Sequence, residues 1–210
     1  MRKSICIGLA VFLLAGFCAC GRDGTEPTGG AATTEETPTQ AATTEFIPGP
    51  VRHTVVKRIH ESLPEFTFTL YGDPDAELED SSSIHTIVVS AEGFYQKLDG
   101  IETVSPDFLA DYGLSFSDFN GDGYLDIQLF KYRGGTMRNE PSIFWLWDGG
   151  ARGFVRNEQL EELAESAGVS VEEDGRVSCY TRLGVGEYVT AYYSYKDGVF
   201  VLVETVEENE

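Results

Sequence analysis

The chain has 210 residues, 35 of them acidic and 15 basic, for a formal net charge of -20. So large an acidic excess repels nucleic acid and anionic lipid headgroups and argues against polyanions as partners. With 41% hydrophobic and 12% aromatic residues, the chain is too apolar for a disordered acidic tail and suits one globular domain plus an additional segment.

Residues 1–19, MRKSICIGLAVFLLAGFCA, place Arg2 and Lys3 ahead of an apolar run from Ile5 to Phe17. That is the n-region and h-region of an export signal, and the run is too short to span a bilayer comfortably. The segment LAGFCAC, ending at Cys20, resembles the lipobox of bacterial lipoproteins, with Phe17 where that family prefers Leu. The small Ala19 before the cut favours Cys20 over Cys18 as the modified residue. The resemblance implies diacylation of Cys20 and anchorage on the extracytoplasmic face of a bacterial cell membrane; an ordinary secretory signal cut nearby is the other reading. The rest of the stretch 20–50 is rich in Thr, Glu, Ala, Gly and Pro and lacks apolar periodicity, which predicts a disordered tether. Cys6 and Cys18 leave with the signal, so Cys179 stands alone in the mature domain, without an intramolecular disulfide. A lone cysteine in a strand-like run is expected to be a small buried side chain.

Residues 51–210 hold 12 basic and 30 acidic residues. Short runs rich in Val, Ile, Tyr, Phe and Thr, separated by turn residues, predict strands at 51–59, 65–72, 83–93, 127–135 and 141–150, with a short strand and turn at 94–103. The polar stretch 74–82 loops out, and Ser105, Pro106 and Asp107 open one helical turn. Asp148-Gly149-Gly150 predicts a hairpin that sets Trp145 or Trp147 against Phe154, with both tryptophans on one face. NEQLEELAESAG at 157–168 reads as a helix over 157–167, capped by Asn157, with Leu160, Leu163, Ala164 and Ala167 as its apolar stripe and Gly168 as its stop. Asp174-Gly175 and Lys196-Asp197-Gly198 turn two further hairpins. About eight or nine strands and one helix predict a mostly β domain at 51–210, an antiparallel β-sandwich or flattened barrel. No internal repeat is evident in the sequence, which argues against a complete propeller.

One stretch carries distinctive chemistry. In DFNGDGYLDIQLF, Asp118, Asn120, Asp122 and Asp126 stand at positions 1, 3, 5 and 9 of a loop, with Gly123 at position 6. Oxygen donors at alternate positions of a tight turn converge on one point, glycine permits the bend, and the carbonyl of Tyr124 at position 7 faces the same centre. A divalent cation relieves the repulsion among the carboxylates, and calcium suits such a flexible oxygen set. Position 12 is Leu129 rather than a bidentate Glu, and residues 127–132 have strand character. The loop therefore resembles the strand-flanked calcium loops of FG-GAP and VCBS repeats, not those of helix-loop-helix sensors. A plain Asn-Gly/Asp-Gly turn would account for residues 120–123 but not for Asp118 and Asp126.

With FWLWDGGARGFVRNEQL and LGVGEYVTAYYSYKDGVFVLVE, this loop resembles exported bacterial β-sandwich proteins with one such calcium site, related in fold to periplasmic inhibitors of invertebrate-type lysozyme. The likeness covers about residues 84–204. Such inhibitors share a Ser-Gly-x-x-Tyr loop that enters the enzyme's cleft. Here LGVGEY keeps Tyr188 and a glycine-rich turn with Gly184 and Gly186, but Gly184 stands in the serine's place and Val185 in the glycine's. The resemblance implies a partner-binding loop at Gly184, Gly186 and Tyr188; a strand residue packed on its sheet is the other reading of Tyr188.

Catalytic signatures are few. His53, His60 and His85 lie in strand-like runs without metal-ligand spacing, no G-x-S-x-G elbow or phosphate loop occurs, and Glu172, Glu173 and Asp174 read as a solvated hairpin end. The sequence thus leads to a lipid-anchored, non-catalytic binding module with a structural calcium ion. Its expected partner is an exported basic protein such as a lysozyme, or a cell-wall component. A lysozyme inhibitor and an envelope hydrolase are the alternatives.

Overall fold

The computed structural model describes residues 48–73, 83–103, 110–132 and 140–209. The signal at 1–19, Cys20, most of the tether, the polar loop at 74–82 and the turn at 105–107 lie outside them. The first four strands, β1 (Val51–Lys57), β2 (Phe66–Tyr71), β3 (Thr86–Ala91) and β4 (Phe94–Leu98), pair in chain order as an antiparallel meander. A second meander follows: β5 (Leu114–Ser117), β6 (Asp126–Phe130), β7 (Ser142–Asp148) and β8 (Gly153–Arg156). After the helix α1 (Glu158–Ala164) comes a third, formed by β9 (Gly168–Val171), β10 (Val177–Arg182), β11 (Glu187–Lys196) and β12 (Val199–Asn209).

The expected fold class holds: the domain is mostly β, antiparallel and sandwich-like. Its detail departs from expectation in four ways. Among the described residues twelve strands form three sheets, and none of these closes into a barrel. LSFS at β5, with two serines among four residues, carried too little apolar signal to be read as a strand. The same meander topology recurs three times although the sequence shows no repeat, because hydrogen-bonded topology needs only pattern and turns, not matching residues. Finally, α1 is shorter than 157–167, and Gly168 opens β9, where it pairs with Tyr180, instead of ending the helix.

Burial explains the layering. In β2 the alternation FTFTLY sends Phe66, Phe68 and Leu70 into the core. β7 is buried on both faces. Its Ile143, Trp145 and Trp147 pack with the first sheet, whereas Phe144 and Leu146 pack with Leu160 and Ala164 of α1 and with Val169, Val177, Cys179 and Phe200 of the third sheet. The second sheet is therefore the middle layer, and each of its large side chains gains about 1.5–3 kcal/mol from burial. As the turn chemistry predicts, Trp147 sits in register with Phe154, their ring centroids 5.1 Å apart. Asn157 caps α1 by accepting from the Leu160 N–H at 2.9 Å. The β11–β12 turn places Asp197 (φ 51) and Gly198 (φ 87) in the left-handed region that a two-residue hairpin needs.

Cys179 is buried in the interior of the third sheet, and burial pushes its thiol up to about 12. The thiolate is the reactive form. Ellman's reagent at about pH 8 is therefore expected to leave the folded protein unmodified and to titrate Cys179 fully once urea unfolds it. Fast reaction in the folded state would mean that this layer is open.

Candidate metal centre

The loop between β5 and β6 spans residues 118–125 and is flanked by strands on both sides, with Ser117 paired to Asp126. Asp118 organises it. Its Oδ1 accepts from the N–H groups of Gly121 (2.8 Å) and Asp122 (3.2 Å), and its Oδ2 accepts from Gly123 N–H (2.9 Å). Asn120 Oδ1 accepts from Asp122 N–H at 3.0 Å, and its Nδ2 donates to Asp122 Oδ2 at 3.0 Å. Asp122 Oδ1 takes the Tyr124 N–H at 2.9 Å. Gly121 (φ 74) and Gly123 (φ 88) supply the left-handed residues that the coil requires.

Asp126 behaves differently from the others. It is completely buried; its Oδ2 accepts from Phe119 N–H and its Oδ1 from Trp147 N–H, both at 2.8 Å. One carboxylate thus joins the loop, the start of β6 and the end of β7. Burial pushes this carboxyl up to about 7, the Trp147 and Phe119 N–H groups pull it down, and the charges of Asp122 and Asp118 push it up further. Two more contacts fasten the loop to the segment after β1: Leu125 N–H donates to the Ile59 carbonyl at 2.9 Å, and Tyr124 stacks on His60 with centroids 4.2 Å apart.

The residue types fit a hard cation, with two carboxylates, an amide oxygen and the Tyr124 carbonyl on one short loop. Among the described residues, no three His, Cys, Asp or Glu side chains converge as a metal-holding group. Asp118, Asn120 and Asp122 share the turn, while Asp126 is turned beneath it onto backbone donors.

A cleft of about 510 Å³ lies beside this loop, where Asn120 and Asp122 face Asp148, Arg156, Asn157 and Tyr195, and no motif in the sequence marks it. Burial pushes the Tyr195 hydroxyl up, and Asp126, Asp122 and Asp148 push it further. Arg156 is held by Glu161 at 2.7 and 2.9 Å and by the Gly100 carbonyl at 3.2 Å. Asp148 Oδ1 caps its own turn through the N–H groups of Gly150 and Ala151. These residues are scattered over β7, β8, the N-cap of α1 and β11, so only the fold brings them together.

The second candidate loop is the β10–β11 hairpin, closed by hydrogen bonds from Leu183 N–H (2.9 Å) and Gly184 N–H (3.4 Å) to the Glu187 carbonyl. Val185, 94% exposed, forms its tip, with Gly184 and Gly186 on either side. Tyr188 is not at the tip. It is a half-buried residue of β11, stacked on Tyr180 at 5.5 Å with Arg182 over its ring. Of the histidines, only His53 lies within a strand, where it meets Asp111 at 3.0 Å. His60 follows β1 and bonds Ser62, and His85 precedes β3, 4.0 Å from Asp73. Glu172, Glu173 and Asp174 are exposed at the β9–β10 turn, where Asp174 pairs with Arg176.

No family model matches the chain, and no curated protein matches it. A solved structure, described as that of a Xanthomonas type IV secretion system related protein, superposes with a TM-score of 0.54 at 17% identity, over 74% of this chain and 87% of that one. The likeness is one of fold.

Replacing Asp126 by Ala strands two buried N–H groups, and should destabilise the protein by about 2–5 kcal/mol in urea titrations run in EDTA. The exposed Ser115→Ala should stay within about 0.5 kcal/mol of the parent. Equal effects of the two would mean that Asp126 does not join the loop to β7.

Proposed function

We propose that this chain is an exported envelope lipoprotein, anchored through a diacylated Cys20, whose β domain holds a structural calcium ion and acts as a non-catalytic binding module. The observation that carries the reading is the strand-flanked loop in which Asp118, Asn120 and Asp122 are gathered by backbone N–H groups around one turn. Asp118, Asn120, Asp122 and the Tyr124 carbonyl hold the ion from the loop. Asp126 supports it from beneath, since each of its oxygens keeps a lone pair beyond the one given to backbone. The ion offsets the mutual repulsion of these carboxylates and rigidifies the connection between β5 and β6.

Two features favour binding over catalysis. Among the described residues the cleft beside the loop is lined by no histidine, serine, cysteine or lysine, and Oδ1 of the Asp148 carboxylate in it is held by its own turn. The acidic domain suits an exported basic protein or a basic cell-wall component as partner. Glycosidase inhibition is the second reading. It draws on the exposed Val185 tip of the 184–188 loop, with Tyr188 three residues on, as the second residue of β11.

Thermal unfolding in EDTA and in millimolar calcium tests the metal site. Calcium should raise Tm by about 5 °C or more, and Asp122→Ala should abolish the rise. An unchanged Tm in the parent would reduce the loop to a turn. The anchor is tested separately: cells fed labelled palmitate should label the parent protein and not a Cys20→Ala variant, which should move from the detergent phase to the aqueous phase. Labelling that survives Cys20→Ala would sink the assignment.

A further inference from the structure

Edge strands present unpaired N–H and C=O groups, and folded proteins ordinarily shorten, charge or cover them. β8 and β12 end the second and third sheets, and each has one residue covered by a glutamine. Gln96 donates to the Phe154 carbonyl at 2.7 Å and accepts the Phe154 N–H at 2.8 Å; Gln159 does the same for Phe200 at 2.7 and 2.8 Å. A side-chain amide that gives one bond and takes one occupies the place of a neighbouring strand's peptide.

This contact fixes which way the backbone of β12 points. Phe200 is in register with Tyr195, yet its N–H and C=O go to Gln159, so this is a pair whose polar groups face away from β11. Leu202, paired with Tyr193, therefore presents its N–H and C=O on the same outer side, and because the register shifts by one residue at Val203, so that Tyr192 pairs with Glu204, the outward set continues at Thr205 and Glu207. β8 stops at Arg156, soon after its covered phenylalanine, whereas β12 runs on to Asn209 and, among the described residues, no strand lies beyond it in the sheet order.

Side chains along β12 fall into two groups. Val199, Val201, Leu202 and Val203 are 42–53% exposed, and Glu204, Glu207 and Glu208 follow, all exposed. Glu204 is paired with Arg176 at 2.7 Å, which leaves Glu207 and Glu208 as the acidic end of the edge.

We propose that β12 beyond Gln159, residues 202–208, is a docking edge for an extended segment of a basic protein, which adds to the third sheet as a fifth strand. The inference rests on the binding-module reading and supplies the place and manner of docking. Ladder hydrogen bonds hold the segment, the exposed valines and Leu202 receive its alternate apolar side chains, and Glu207 and Glu208 receive its lysines or arginines. A second copy of this chain is the competing occupant, but it brings a charge of -20 against a charge of -20. Charge complementarity selects a basic segment.

The test is amide hydrogen exchange on the full chain, with and without a peptide of about ten residues alternating lysine and valine, beside a glutamate-valine counterpart. The proposal expects the lysine peptide alone to slow exchange at Leu202, Thr205 and Glu207. Glu207→Lys with Glu208→Lys, far from the core, should weaken its binding by about tenfold. Leu202→Pro, which removes an outward N–H without touching the β11 ladder, should abolish it while Tm holds. Binding that leaves these amides unprotected overturns the edge but not the binding module. Absence of binding, or protection that grows with protein concentration when no peptide is present, also overturns the edge.

Discussion

The structure depends most on one buried carboxylate. Asp126 begins β6, receives Phe119 N–H from the loop before it and Trp147 N–H from the end of β7, and sits with no solvent access. A carboxylate in that position is costly unless its oxygens are bonded, and here both are. Its two bonds lock the loop geometry to Trp147, which in turn packs on Phe66, Phe94 and Phe154. The oxygen donors at the surface and the aromatic core inside are thus parts of one connected arrangement.

The middle sheet owes its position to β7. SIFWLW is apolar on both faces, so it needs a layer on each side: the first sheet covers Trp145 and Trp147, and α1 with the third sheet covers Phe144 and Leu146. Sheet edges are managed locally by the amides of Gln96 and Gln159. Among the described residues the length of β12 beyond the Gln159 contact has no such cover, and this edge and the acidic charge therefore occur together on the third sheet.

Local chemistry was legible in the sequence. The Asn157 cap, the Asp197-Gly198 turn, the Trp147–Phe154 pairing and the burial of Cys179 follow from residue type and spacing alone, because each is decided within a few residues or within one hairpin. The number of layers was not read, although the lack of alternation in SIFWLW was the available signal that β7 is covered on both sides. The inward turn of Asp126 was not legible, since spacing places it at position 9 of a ligand loop but cannot show that Trp147 N–H lies across the sheet. The same holds for the cleft formed with Asp148 and Tyr195, and for the glutamine caps. All of these depend on strand neighbours far apart in the chain. For Tyr188, the glycine-rich loop drew attention to the tip, while strand alternation and Tyr180 place the ring on the sheet.

Two roles fall on the same loop: its backbone N–H groups are satisfied by Asp118 and Asn120, and its carboxylates still repel one another. A bound cation removes the second problem without undoing the first. Equilibrium dialysis of the protein against labelled calcium tests this most directly. About one chelator-removable ion per chain is expected, and none in an Asp118→Asn, Asp122→Asn variant that keeps the parent's circular dichroism. No bound calcium in the parent, or the same stoichiometry in the variant, would contradict it.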